Sequence, residues 1–279
     1  MATLTLTAEG YPIFASRNWI GQESIDYGTF TVTEMDTLID RIIDGDRFSY
    51  WSGSSESDAV TVTMNFDFRK GSILYQRTFD LVILQNINWK NFLVEYSADN
   101  GATWATVTGL DYSVSNNTAT DIITNIAAGL TGHMLRISIY TTFASTPNAA
   151  KKCGGVIVCQ SALQLAGGFL EFKVKNRENI REVMLADGTI SREIIQRSAT
   201  SYEFFEASFD CPIVTAAELA LLRTIKREGF PFIFIAEPGV APYDAYLCHF
   251  SGAWGHSYEN AVRSIGYAIP MKVKEVGTH

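Results

Sequence analysis

Residues 60–65 read Val-Thr-Val-Thr-Met-Asn, and this strict alternation constrains the chain more than any other feature in it. A period of two puts Val60, Val62 and Met64 on one face of a strand and Thr61, Thr63 and Asn65 on the other, which a helix cannot do. Comparable β-branched or aromatic runs occur at Thr3–Thr7, Phe79–Leu84, Phe92–Ser97 and Met134–Thr141. Asp99-Asn100-Gly101 supplies the positive φ values of a tight hairpin turn. The first 160 residues are therefore read as stacked antiparallel strands with one face in a core. One helix is expected among them, over Glu34–Ile43, with Thr33 as its cap and Met35, Leu38, Ile39 and Ile42 as its apolar stripe.

The pattern changes after the Gly pair at Gly167-Gly168. Phe169–Lys175 and Ser201–Phe209 alternate as strands. Ala216–Glu228 has the signals of a helix: Thr215 and Glu218 form a capping box, Leu221, Leu222 and Ile225 line one side, and Gly229 then Pro231 stop it. A buried strand follows at Phe232–Ala236. Val262–Val276 reads as a long strand whose Pro270 points to a sheet edge or a bulge, and the edge ending in Lys272–Val276 is an expected site of assembly. The fold class is mainly β, with an N-terminal β-sandwich over 1–161 and a smaller α+β domain over 162–279. At roughly 100–200 residues per domain, the 279 residues fit two such units.

Charge and cysteine usage narrow the function classes. Residues 1–67 hold eleven acids and three bases, so their net charge of −8 equals that of the whole chain. Such a field repels phosphate backbones and argues against nucleic-acid binding there, while it is compatible with cations. No run reaches the ~18 apolar residues of a membrane span, and the N-terminus lacks the basic start of a signal peptide. Cys153, Cys159, Cys211 and Cys248 have no CxxC spacing; they read as buried thiols in a reducing compartment, with a Cys153–Cys159 bridge as the alternative. His249 and His256 are seven residues apart in a Gly-containing stretch, which fits neither a strand nor a helix metal pair. No nucleophile elbow, phosphate loop or zinc-protease motif is present, so no catalytic residue is assigned.

Two segments carry family resemblances. Leu38–Trp51 (LIDRIIDGDRFSYW), with the strand after it and with Leu93–Trp104 (LVEYSADNGATW), resembles the galactose-binding-like jelly rolls of the discoidin type. That resemblance implies an eight-stranded sandwich with ligands, usually sugars, docked in loops at one end. Here the candidate loops are Ser52–Asp58 and Asn86–Lys90. It also places the Asp44-Gly45-Asp46 turn where many members bind a structural calcium, against the plain reading of a solvated turn. No other cofactor is required. Among the tryptophans Trp104 is expected in the core, whereas Trp89, between Asn88 and Lys90, is the expected exposed ligand contact, with those two neighbours as hydrogen-bond donors.

The order from Ser201 to Gly239, an aromatic strand, a Thr-x-x-Glu helix and a second aromatic strand, resembles the small domains of tailed-bacteriophage tail-tip and baseplate proteins of the distal or minor tail type. This implies a structural protein of the virion tail, assembled in the host bacterial cytoplasm as a homo-oligomer with tube, hub or tape-measure partners. A host-surface saccharide would be a further partner. The alternative is a free-standing glycan-binding protein without catalytic activity, and an enzyme ranks third.

Overall fold

A computed structural model describes residues 12–21, 30–34, 38–44, 49–70, 73–143, 149–165, 170–184, 190–195, 203–236, 245–251, 257–258 and 267–275. The expected strand at Thr3–Thr7 lies outside them. The first part comprises β1 (Ile13–Asn18), β2 (Phe30–Val32), a 3-10 turn (Ile39–Ile42), β3 (Trp51–Ser52), β4 (Val62–Asp67), β5 (Arg69–Lys70), β6 (Ile73–Leu74) and β7 (Arg77–Gln85). It continues with β8 (Trp89–Ser97), β9 (Ala105–Asp111), β10 (Ile122–Gly132), β11 (Met134–Thr142), β12 (Lys152–Cys153) and β13 (Gly155–Gln164). The second part holds β14 (Leu170–Met184), β15 (Ile190–Ile195), β16 (Glu203–Val214), α1 (Ala216–Glu228), β17 (Phe232–Ile235), β18 (Ala245–Phe250), β19 (Ser257–Tyr258) and β20 (Tyr267–Glu275).

The fold is mainly β, as expected, with a sandwich followed by a smaller α+β part. Among the described residues a five-stranded sheet, ordered β2-β4-β11-β8-β9, faces the β10-β7-β13 portion of an 11-stranded sheet. Val62, Met64 and Phe66 of β4, with Phe92 and Val94 of β8, pack in one cluster with Val82, Leu84, Val156 and Val158 of the larger sheet. The alternation read at Val62 and Met64 is thus the core face, although Val60, before the strand begins, is exposed. The hairpin turn forms as read: Asn100 and Gly101 have φ of 60° and 87°, and Ser97 Oγ accepts the Gly101 N–H at 2.7 Å.

The larger sheet does not stop at the sandwich. It runs on through β1-β17-β18-β20-β16-β14-β15, so β1 pairs antiparallel with β13 on one side and β17 on the other. Consecutive residues of this one strand serve different cores. Phe14 joins the cluster under α1, Ile13 and Ala15 join a cluster with Ile233 and Leu247, and Trp19 and Ile20, just past the strand, enter the sandwich core. The expected division at 161/162 falls inside β13, whose residues to Gln164 still pair with β1.

In the second part α1 has the expected capping box between Thr215 and Glu218 and ends on Gly229 at φ 70°, the left-handed conformation that glycine adopts without strain. Leu219, Leu222 and Ile225 pack on Phe205, Phe209, Phe232 and Phe234, with Leu221 at the margin. Two expectations are corrected. Of the helix expected at Glu34–Ile43 the described residues form only the 3-10 turn, closed by Arg41 N–H to Leu38 O and Ile43 N–H to Asp40 O. Both bonds run from residue i+3 back to residue i, the tighter 3-10 pattern, which is found mostly in short pieces. Likewise β20 is an interior strand, between β16 and β18, so the edge at Lys272–Val276 is not open along its described length. Pro270 lies opposite Asp210 of β16, and a register shift between Cys211 and Val214 follows one residue further on, the kind of irregularity beside which a strand proline is found. Among the described residues the end strands of this sheet are β10 and β15.

Candidate functional site

Antiparallel pairing brings four groups of described connecting residues to one end of the sandwich: 53–61 before β4, 86–88 between β7 and β8, 112–121 between β9 and β10, and 143 with 149–154 after β11. Both candidate loops, Ser52–Asp58 and Asn86–Lys90, are here. They are tied to each other through side chains that satisfy backbone groups the sheets leave free. Asn88 is the central tie. Its Nδ2 donates to Ala150 O at 2.8 Å, its Oδ1 accepts from Lys152 N at 2.8 Å, and its carbonyl accepts from Phe143 N at 3.0 Å. Asn117 donates from Nδ2 to Trp89 O and Ala119 O, both at 2.8 Å. Asp58 Oδ1 accepts from the Thr142 N–H at 3.0 Å, and the buried Lys151 ammonium donates to Ser57 O at 2.9 Å.

Three site expectations change on this geometry. Trp89 is fully buried and meets Phe92 edge-on at 5.5 Å, so it has no open face for a ligand. The physical reason is a pair of register shifts between β11 and β8: Ile139 opposes Phe92, Thr141 opposes Asn91 and Thr142 opposes Trp89, which leaves Lys90 as an extra residue and returns Trp89 to the core face. Asn88 spends both ends of its amide on the backbone and is a structural tie rather than a free donor. Lys90 is half-buried on the bulge, and its carbonyl accepts from Asn117 N–H at 2.8 Å. Trp104 departs the other way. It is half-buried, with the Arg136 guanidinium 4.1 Å above its ring, and Arg136 in turn donates twice to Glu95 Oε2.

Asp44 is half-buried and accepts from Ser49 Oγ at 2.7 Å, while Asp46 lies outside the described residues. Among the described residues no group of three or more His, Cys, Asp or Glu converges as a metal site. His249 is exposed, and His256 lies outside the described residues. Cys153 and Cys159 are free, buried thiols, which removes the bridge reading; burial pushes the Cys153 thiol up to about 12.

The exposed aromatic at this end is one that sequence reasoning passed over. Tyr50, directly before β3, is 42% exposed, and the Lys152 ammonium lies 4.3 Å from its ring centroid. Its backbone is held from the other side, where Arg41 Nη1 donates to Tyr50 O at 3.4 Å. The pairing of Lys152 with Ser52 across β12 and β3 is what brings the two side chains together. That contact spans about a hundred residues of sequence, and the Phe-Ser-Tyr-Trp run around Tyr50 gives no local sign of it.

No protein-family profile and no curated protein sequence matches the chain. Solved structures do match part of it. The module CpGH89CBM32-6 produced by Clostridium perfringens is 16% identical over 52% of this chain and 100% of its own length, with a TM-score of 0.40. Chitosan-binding module 1 from a chitosanase/glucanase of Paenibacillus sp. IK-5 is 15% identical over 51% of this chain and 98% of its own, at 0.38. The family 32 carbohydrate-binding module of C. perfringens NanJ, solved with galactose, is 11% identical over 52% and 98%, also at 0.38. At such identities and scores no residue role is carried from them to this chain.

Proposed function

We propose that the chain is a non-catalytic structural protein that presents a saccharide-binding loop end on an assembly unit, at the tail tip of a phage or phage-like particle. The observation that carries the binding half is the open Tyr50 ring on a loop end locked by Asn88, Asn117, Asp58 and Lys151. An aromatic face supplies apolar contact to a sugar ring, and locked loops lose little entropy when it docks. The display half is supported by the unbroken sheet through β1. A sandwich joined to its neighbour by strand pairing, rather than by a linker, holds whatever it binds in a fixed direction. The resemblance of the Ser201–Gly239 pattern to tail-tip domains supplies the setting, with tail proteins and further copies of this chain as partners. Calcium at the Asp44 turn belongs to the same proposal, its check being a melting temperature that rises with calcium and falls with chelator.

The test is a glycan array on the full chain and on Tyr50→Ala, with native mass spectrometry alongside. Bound glycans lost by about tenfold or more in the variant, at unchanged melting temperature, support the binding half, since a buried aromatic anchor contributes ~1–3 kcal/mol. A chain that binds no glycan and stays monomeric in the presence of tail-tube protein would sink the proposal.

A further inference from the structure

We infer that the Tyr50 patch selects saccharides that carry an anionic group, a carboxylate or a phosphate; this rests on the saccharide-binding reading above. The region around it is acidic in sequence, with a net charge of −8 over residues 1–67, so the local chemistry runs against the average. The side chains grouped on Tyr50 are both cations, Arg41 through its bond to the Tyr50 carbonyl and Lys152 over the ring. Neither forms an ion pair with a carboxylate among the described residues. Among the described carboxylates of this part, Asp44 accepts from Ser49, Asp58 from Thr142 and Glu34 from the Ser55 N–H.

A cation resting on an aromatic face at 4.3 Å is held by the ring but keeps its outward N–H groups for solvent or a ligand. A sugar laid against the exposed part of Tyr50 would bring the substituent on its rim to those N–H groups. A hydroxyl there exchanges one neutral acceptor, water, for another. A carboxylate or phosphate instead gains a charge-assisted hydrogen bond, about twice as strong as a neutral one. Arg41, bonded to the Tyr50 carbonyl, adds a second positive charge to the same segment. Lys151 does not take part, because it is fully buried and turned to Ser57 O.

One sugar scaffold varied at a single carbon isolates the effect. Galactose, galacturonic acid, galacturonic acid methyl ester and galactose 6-phosphate are titrated into the full chain at low and high salt, following backbone amide shifts. Galacturonic acid is expected to bind about fivefold or more tighter than its methyl ester, the gain of one exposed charge pair near 1 kcal/mol, and the margin should shrink in salt. The 6-phosphate arm tells whether carboxylate or phosphate is preferred. Lys152→Met and Arg41→Gln should each reduce the acid-to-ester affinity ratio, which cancels whatever the substitution does to binding of the neutral sugar. Equal binding of acid and ester overturns this inference and leaves the saccharide reading standing. Binding of none of the four, together with an empty glycan array, overturns both.

Discussion

The two halves of the molecule hang on the same strand yet are held by different kinds of contact. The sandwich is closed by two sheets, of which β4 in the smaller alternates cleanly while β7 and β13 in the larger are buried on both faces, and its loop end is fixed by single polar side chains such as Asn88 and Asn117, each satisfying several backbone groups. The α+β half relies on aromatic packing under one helix: Phe14, Phe209, Phe232, Phe234 and Phe250 lie with ring centroids 4.4–6.2 Å apart. Strand β1 belongs to both, and a six-residue element placed so early in the chain thereby makes the two cores neighbours in one sheet. A domain boundary read from composition can therefore coincide with continuous hydrogen bonding.

The substitution that tests this comparison hardest is Phe14→Ala. Phe14 is fully buried and sits on the shared strand, so the cavity should cost about 3–5 kcal/mol. Calorimetry of the natural chain is expected to show one transition, and the variant should move it as a whole to lower temperature. Two separated transitions, of which only one moves, would mean that β1 pairs with both halves without coupling them.

A smaller effect sits at the seam itself. The β7–β13 ladder ends at the pair Leu81–Cys159, and beyond it Asp80 Oδ1 accepts the Ala162 N–H at 3.2 Å. Loss of solvent is the main cause that pushes the Asp80 carboxyl up to about 7, with the Ala162 hydrogen bond opposing it. A carboxyl raised above its unfolded value near 4 imposes no penalty while both states are protonated, and an increasing one as pH rises through about 7. Stability should thus fall between pH 4 and 8, by about 2 kcal/mol once the solvent still reaching the carboxylate is allowed for. Urea melts at pH 5 and 8 check it: Asp80→Asn should flatten this dependence, and a variant with the same slope as the natural chain would assign it to other groups.

What was legible in sequence follows the range of the interaction that decides it. The Asn100-Gly101 turn, the β4 alternation and the Thr215–Glu218 box are settled within a few residues, and each forms as read. Trp89 was misread because the register shifts that turn it inward depend on how Thr141 and Thr142 on β11 oppose it, fifty residues away. Pro270 pointed to an edge or a bulge, and the strand is interior with a register shift against β16 close by, between Cys211 and Val214, a choice that only the assembled sheet makes. The join through β1 had no local sign at all, since six residues of ordinary strand composition do not declare how many neighbours they will pair with.

The smallest expected effect discriminates most finely between coupled and merely adjacent halves. Thr215 is exposed, so Thr215→Ala removes the acceptor of the Glu218 N–H, keeps the bond from its own backbone N–H to the Glu218 carboxylate, and leaves no cavity. Loss of such a cap costs about 1 kcal/mol, and Thr215→Ser should restore it. Where that loss is felt is the informative part. If β1 makes the chain one cooperative unit, hydrogen exchange should show the slowest amides of β4 and β11, in the far sheet of the sandwich, losing the same protection as those of α1. Loss confined to α1, β16 and β17 would show that the helix opens on its own and that the shared strand transmits direction but not stability.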